Sequence, residues 1–591
     1  MIRPLPITCF PNEVLVHTLH HCNYRAIIRF SMTCKRAYKI VRNSVSLQLH
    51  IELEVNGFEI IDQSTKTSIC YSSVLEELKG YRNAWLNLRF VRIQQRIIPN
   101  FLHMEWNIKH GAYIGGFRES NLEHPEDNQL DRIEIIHLCS PVTSPPLDFK
   151  KKFKSFRVDV GQNLVVLIEC VKESPSFAFA YVHLHHTITG LPHPLARFPT
   201  LTVRFKGTPN AMEPDILVLD DNLVIKFLGP GNVASGYGYD ILLWNWKSGL
   251  LLGIIHLETS ADLSFLDKNY LFAFCPLIDS ASGSQESDQV ALHIYRIPIV
   301  TPDYQEPAEA HSPSYQTLKP ILILQFPKVH KAYQLEGYAL ASVPLLGDPA
   351  YEGSTNVVYA HATTIALQLL IISLAMHDGE HKLDDLDYCI FVNTDRIFDY
   401  LSDSNTQETV VMSWSQWGTE STRWFLDTDS LSASAAEVFG SLYPIWDLDR
   451  GLGTHQHLSI FEFNPQIVRR HMHAFGILDQ EGVLEVGKTS SSRSCTMADL
   501  KMPLILAASD AGADQDDISM HMIGSNTKTI IKEGFEEPVE SSLPFMVVTR
   551  VQRMPRHQSW QIQGDYLVGV PIKMFDDSET PFSLYKLQIS P

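Results

Sequence analysis

Histidines two residues apart are the first features of this 591-residue chain that could do chemistry: His183/His185, His455/His457 and His471/His473. On a strand, residues at that spacing share a face, so each pair could offer two imidazoles to one metal ion. No Cys or carboxylate stands at a metal-site spacing from any of them, and the ligand set stays incomplete. Asp510, Asp514, Asp516 and Asp517 lack the register of a calcium loop. Asp427-Thr428-Asp429-Ser430 has no Gly after Thr428 and no second copy, so the paired carboxylates of an aspartic protease are missing. Gly229-Pro230-Gly231 with Gly236 and Gly238 lacks a Gly-Lys-Ser/Thr ending and runs into a strand-like stretch, which reads as a turn and not a phosphate cradle. Phe149 to Arg157 interleaves aromatics with cations, as single-strand nucleic-acid grooves do. Short and set in acidic surroundings, it is expected to be a linker leading into a strand, a nuclear import signal being the lesser reading. Trp417-Gly418 with Thr422-Arg423-Trp424-Phe425 could be a structural brace or part of a recognition face. No catalytic set, metal site or cofactor is expected.

One constellation does carry a function. Phe10-Pro11-Asn12-Glu13-Val14-Leu15, then Leu19, Tyr24-Arg25, Ile27, Phe30 and Cys34-Lys35-Arg36, resembles an F-box over about residues 9 to 50. The resemblance implies three short helices that interlock with a Skp-type adaptor. It assigns Phe10 and Pro11 to the adaptor-facing entry, divides Val14, Leu15, Leu19, Ile27, Ile28 and Cys34 between core and interface, and sets Lys35 and Arg36 at the rim. Phe10 replaces the usual Leu, Cys22 occupies a Leu position, Thr33 replaces an aliphatic residue and Leu47 stands where many members carry Leu-Trp. These departures remove about 1–2 kcal/mol of apolar contact. What the resemblance implies is a non-catalytic subunit of an SCF-type cullin-RING ubiquitin ligase, whose partners are the Skp-type adaptor, through it a cullin, and a protein target. A scaffold acting outside ligases and a β-propeller hydrolase are the alternative expectations.

The elements that must position these residues follow from periodicity. Val14, Leu15, Thr18, Leu19 and Cys22, then Ile27, Ile28 and Phe30, recur at helical spacing. They predict short helices opened by Pro11, capped by Asn23, and capped again by Ser31 or Thr33. Helices that short are unstable alone, so the unit must pack on itself or on a partner. Val45, Leu47, Leu49, Ile51, Leu53 and Val55 alternate like a strand. Leu47/Ile51 and Leu49/Leu53 are also four apart and Gly57 suits a helix end, so a helix is predicted. A second linker helix is predicted over Val74–Leu88.

Beyond residue 90 the chain turns to short apolar runs cut by Pro, Gly, Asn and Asp, from Leu164–Ile168 through Val410–Trp414 to Tyr566–Val570. Trp244-Asn245-Trp246-Lys247-Ser248-Gly249 and Trp446-Asp447-Leu448-Asp449-Arg450-Gly451 echo one another and resemble the inner hairpin of WD-type propeller blades. Antiparallel strands over some 500 residues must be closed to hide their edges. The expected fold is therefore multi-domain and mainly β: an F-box over 1–50, a helical linker over 51–90, and an irregular β-propeller of about seven blades over 91–591. Asp279–Asp288, Thr301–Pro320 and Lys488–Thr527 are expected surface insertions.

Composition supports a folded intracellular protein. Hydrophobic residues make up 45% and charged residues 19%, enough apolar material for large cores. Nine Cys without close pairs argue against a disulfide framework, no Asn-x-Ser/Thr acceptor occurs, and the N-terminus does not read as a signal peptide. The longest apolar stretch, Thr364–Met376, is 13 residues, short of the roughly 18 a membrane span needs. It is expected to be buried sheet, and no membrane partner is expected. Net charge is −19, yet residues 1–50 hold seven Lys/Arg against Glu13 alone, leaving 41 basic and 66 acidic side chains in the rest. An acidic body argues against nucleic acid as a partner, and a basic head suits an acidic adaptor. A cytoplasmic or nuclear location is expected.

Overall fold

The computed structural model describes residues 10–62, 70–96, 105–109, 111–118, 129–140, 144–174, 177–206, 214–228, 238–277, 287–299, 316–342, 349–352, 358–361, 367–378, 381–403, 408–427, 438–447, 456–477, 479, 481–486, 518–552, 554–555, 557, 559–570 and 581–589. Its first part is helical: α1 (Asn12–Leu19), α2 (Tyr24–Ser31), α3 (Lys35–Asn43), α4 (Val45–Asn56) and α5 (Tyr71–Asn87). Pro11 precedes α1, and Asn23 caps α2 by accepting from the Ala26 amide. Neither Ser31 nor Thr33 caps α3. Cys34 does, its Sγ accepting from the Ala37 amide at 3.4 Å, while Ser31 and Thr33 donate to carbonyls of the preceding turn.

The ambiguous alternation at residues 45–55 has a geometric cause. Leu47, Ile51 and Val55 form one stripe of α4, packed with Leu19, Ile27 and Val41. Leu49 and Leu53 form a second stripe, packed toward α5 and its Val74, Leu75, Leu78 and Trp85. A helix buried on two faces shows apolar residues at every other position without being a strand. Gly57 ends it at φ +67°, a left-handed cap that a side chain would strain. The three short helices thus complete their core on α4 of the same chain, and the division expected at residue 50 falls inside that helix.

Past α5 the described residues form seven sheets of four or five strands in sequence. The first comprises Glu105–Lys109, Ala112–Phe117, Leu130–His137 and Leu147–Phe153; the second, Ser155–Asp159, Leu164–Ser174, Phe177–His186 and Thr200–Lys206. The third runs from Asp215–Leu219 through Asn222–Leu228 and Tyr239–Asn245 to Leu250–Leu257. In the fourth, Asp262–Asp267, Tyr270–Pro276, Val290–Arg296 and Leu322–Gln325 gain a parallel edge from Val410–Met412. The fifth orders Tyr333–Ser342, Leu367–Asp378, His381–Asn393 and Thr422–Asp427. The sixth orders Leu442–Asp447, Gln456–Glu462, Phe545–Gln552 and Ile518–Ile523. The seventh takes Ser559–Gln563, Tyr566–Val570 and Phe582–Leu587 from the C-terminal end and its fourth strand, Phe90–Arg96, from just after α5.

Alternating side chains bind each sheet to both neighbours. In the third sheet Leu223, Ile225 and Phe227 pack against the second, while Val224, Ile241 and Leu243 pack against the fourth. In the seventh, Trp560, Ile562 and Leu567 face the sixth, and Val568, Val570 and Leu584 face Ile108, Tyr113 and Ile136 of the first. The last sheet therefore packs on the first, and the ring closes with strands from both ends of the body in one sheet. This is a seven-bladed β-propeller by topology, as expected.

Several local expectations change. Phe149–Arg157 is not a linker: Leu147–Phe153 and Ser155–Asp159 are strands, because Phe149, Phe153 and Phe156 are buried between the first two sheets. Val410–Trp414 is a strand only to Met412; Ser413 and Gln416 form a capping box that starts α7 (Trp414–Ser421). Among the described residues the body also holds α6 (Asp395–Asp403) and α8 (Pro465–Ala474). Trp244 and Asn245 end a strand and Gly249 turns the chain at φ +76°, with the Phe198 ring where a Cβ would lie. Trp446 and Asp447 end a strand, whereas residues 448–451 of the echoing motif lie outside the described residues. So do Gly229–Gly236, residues 428–430, the four aspartates 510–517, His455 and most of the three expected insertions. Two smaller sheets complete the body: Phe58–Asp62 with Val358–His361 and Pro349–Glu352, and Gly482–Val486 with Thr527–Ile531 and Val539–Ser541. Among the described residues no helix is long and apolar enough to cross a membrane.

Candidate functional site

The chemical candidates separate once side chains are placed. His183 and His185 share a face of the second sheet, with ring centroids 6.2 Å apart. His183 is already held by Glu169 Oε2 at 3.0 Å and Thr200 Oγ1 at 2.9 Å, and the Lys151 ammonium lies 3.3 Å from its ring. A fixed cation there disfavours a metal ion. His471 and His473 lie on α8 and not on a strand, so they point in different directions, His471 buried and His473 exposed. Among the described residues no group of three or more His, Cys, Asp or Glu could hold a metal. The Trp417–Phe425 cluster is a brace. Trp417 and Trp424 are buried, and Arg423 lies over Phe545 while bonding the Leu543 and Thr527 carbonyls and Thr529.

The N-terminal helices offer a different kind of site. Leu15, Leu19 and Ile27, three of the residues singled out from sequence, are interior, with Leu19 and Ile27 joining Val41 and the first stripe of α4. Phe10 (38% exposed), Val14 (45%) and Ile28 (40%) are apolar yet open to solvent, as is Met32 (80%), which sequence reasoning did not pick. Tyr38 is also exposed. Pro11, Cys34 and Lys35 are exposed, and Arg36 is half-buried because it ties the chain start down, donating to the Phe10 carbonyl at 2.6 Å and to Asn12 Oδ1. The Ala37 amide bonds the Cys34 sulfur and lowers its pKa. Between α1 and α3 runs an open groove of about 580 Å³ lined by Asn12, Val16, Lys35, Arg36, Lys39, Ile40, Asn43 and Ser44. With Val45 on α4, six exposed large apolar side chains on so small a unit are more than scattered surface hydrophobics account for. Helical period would have flagged Met32, four residues past Ile28 on the same side of α2.

Fixed contacts set this unit against the body. Arg25 Nη2 meets Asp395 Oδ2 at 2.6 Å, joining α2 to α6. Glu52 on α4 receives Arg82 of α5 at 3.0 Å and Arg470 of α8 at 2.8 Å. Asn464, which caps α8, donates its Nδ2 to the Val55 carbonyl at 2.7 Å. Where α4 and α5 meet the sixth sheet, Glu462 and His471 are buried within one cavity wall. Burial pushes the Glu462 carboxyl up to about 7, against hydrogen bonds from Ser441 and the Asn464 and Phe463 amides. Burial, then Arg82 and Arg470, push His471 down to about 4. On the body itself, Ile188, Leu191, Leu195 and Phe198 stand exposed on the segment joining the third and fourth strands of the second sheet.

Comparison with known proteins gives one family match: residues 7–49 match the F-box domain. No curated protein matches the chain. Similar solved structures include the β-propeller domain of the Trilobed protease from Pyrococcus furiosus, 9% identical over 63% of this chain and 82% of that one, TM-score 0.26. The WD40 domain of SCAP from fission yeast is 9% identical over 90% of this chain and 98% of that one, also at a TM-score of 0.26.

Proposed function

We propose that this chain, which carries an F-box domain on a closed seven-sheet body, is the substrate-receptor subunit of an SCF-type ubiquitin ligase. The F-box docks on a Skp-type adaptor and through it on a cullin, and the body holds a protein target. In this reading Phe10, Pro11, Val14, Ile28, Cys34 and Lys35 face the adaptor, with Met32 added to them. Leu15, Leu19 and Ile27 support that face from within, and Arg36 fixes its entry. The chain itself carries no bond-making step; it raises the local concentration of a bound target near the conjugating enzyme. It acts in the cytoplasm or nucleus. Residues 1–50 dock, 51–90 link and 91–591 hold the target, with α4 making the first two continuous.

The observation that carries the reading is a set of apolar side chains, Phe10, Val14, Ile28 and Met32, left in water on the domain that matches the F-box. Burying such side chains on a partner is worth about 1.5–3 kcal/mol each. Co-purification with the Skp-type adaptor tests it. Wild type should be captured, and a Val14→Asp/Met32→Asp variant, altered only at exposed positions, should lose capture by tenfold or more while its melting temperature stays unchanged. Equal capture of the two proteins would remove the docking reading.

A further inference from the structure

Four large apolar side chains stand in water on the segment that joins the third and fourth strands of the second sheet: Ile188, Leu191 and Leu195, 59–75% exposed, and Phe198. The segment is tied down along its length. The His186 amide donates to the Leu191 carbonyl at 2.8 Å and the Gly190 amide to the His186 carbonyl at 2.9 Å. The Thr187 amide reaches the Asn163 carbonyl at 2.9 Å, and the Arg197 amide reaches the Lys247 carbonyl, in a turn of the third sheet, at 2.8 Å. Phe198 lies against Gly249, with the Arg197 guanidinium 5.2 Å from its ring centre. Turning the apolar side chains inward would break these main-chain bonds, so the exposure is built in.

Charge singles out the same region. Residues 177–206 hold Arg197, Arg204 and Lys206 and no carboxylate, in a chain with 67 Asp and Glu and a net charge of −19. The outer strand of the first sheet runs alongside, because Leu147 lies beside Gly190 and the Lys151 ammonium is 3.3 Å from the His183 ring. That strand brings the exposed Lys150, Lys151 and Lys152 to the flank of the patch. Contacts also fix the end of the ring on which the patch opens. Tyr81 of α5 donates to the Gly564 carbonyl, the neighbouring Gln563 accepts from the Gly111 amide, and the Gly111 carbonyl accepts from Leu138, at the end of the first sheet where Leu147 meets Gly190. The patch and the helix that carries the F-box therefore share one end of the body.

We propose that this patch is where the body takes its target, and that the segment it takes is acidic and carries apolar side chains. The proposal rests on the reading of the body as target holder and names the chemistry of what is held. Apolar side chains of the segment cover Ile188, Leu191, Leu195 and Phe198, while its carboxylates face Arg197 and the three lysines, which speed its approach and set its orientation.

Selection of random short peptides on the full-length chain, counter-selected on an Ile188→Ser/Leu195→Ser variant, tests the site. The recovered peptides should be rich in Asp and Glu together with Leu, Ile or Phe. In fluorescence anisotropy they should bind the variant about tenfold more weakly than wild type, and binding to wild type should weaken as salt rises. Both replaced side chains are exposed, so the melting temperature should hold; should it fall, Lys150→Glu/Lys152→Glu takes its place with the same expected weakening. Peptides without an acidic excess, peptides without apolar side chains, no peptide surviving counter-selection, or equal binding to the variant would each overturn the proposal. So would self-association of the chain that the substitutions abolish, which would make the patch a contact between copies. Capture of the adaptor by the same proteins keeps the two readings apart. Failure of peptide binding with capture intact removes this site alone, and failure of capture with peptide binding intact removes adaptor docking and leaves the surface standing.

Discussion

Ile27 and Val14 belong to the same amphipathic helices and have opposite tasks, because one is fully buried and the other stands in water. Truncating Ile27 to Ala leaves a void in the core shared with Leu47 and Ile51, and should destabilise the helical unit by about 2–5 kcal/mol in chemical denaturation. Val14→Ala should change stability by less than about 0.5 kcal/mol. A second pair sets pH dependence. Glu462 titrates at about 7 in the folded chain against an ordinary 4.5, so its contribution is present at low pH and is lost as pH rises from 4.5 through 7. His471, held at about 4 against an ordinary 6.5, acts the other way: its contribution is present above 6.5 and lost as pH falls toward 4. The two slopes oppose each other between pH 4.5 and 6.5. Relative to wild type, Glu462→Gln should therefore gain stability as pH rises across that window, by roughly 3 kcal/mol at the upper end. His471→Leu should lose stability with rising pH by a similar amount, both read as melting temperature against pH.

Helix α4 is the element on which the arrangement turns. One stripe completes the F-box core, the other meets α5, and its carboxylate Glu52 and terminal carbonyl of Val55 are both bound from α8. Asn464 does two jobs at that junction, capping α8 at the Gln466 amide and donating to Val55. Replacing it with Ala should cost about 1–3 kcal/mol, since a cap and a buried bond go together. The change should appear as faster amide hydrogen exchange in both α4 and α8, whereas loss of a cap alone would loosen α8 only. The strand-like spelling of α4 follows from its position between two cores, and no local rule distinguishes that from a half-buried strand until the second core is known.

Closure is a property of the whole molecule. The seventh sheet joins Phe90–Arg96 to three strands drawn from residues 559–587, so the body's two ends lock each other in place. Deleting residues 582–591 removes the strand that pairs with Phe90–Arg96 and exposes the apolar faces of the first and sixth sheets. The truncated chain should lose its single cooperative melt and expose surface that binds a hydrophobic dye. Retention of the full-length melting temperature would mean that ring closure contributes little. Dividing the strands among short blades packed radially leaves only short edges, which limits pairing with other chains.

Several features were legible in the residues themselves because they depend on nearest neighbours along the chain. Asn23 caps because it precedes a helix, Gly57 ends α4 because only glycine enters the left-handed region freely, and Phe10-Pro11 through Arg36 spell the F-box pattern. Alternating apolar runs likewise announced a β-rich body that had to close. Tertiary structure alone decided which side chains face outward. Leu15 and Val14 are adjacent and equally apolar, and only the packing of α1 makes one interior and the other free to meet a partner. The same holds for Phe149–Arg157, whose aromatics became core when the second sheet arrived beside the first, and for the cavity, whose walls come from segments some five hundred residues apart. Local spacing records the period of a side chain, but its burial depends on what the rest of the chain brings against it.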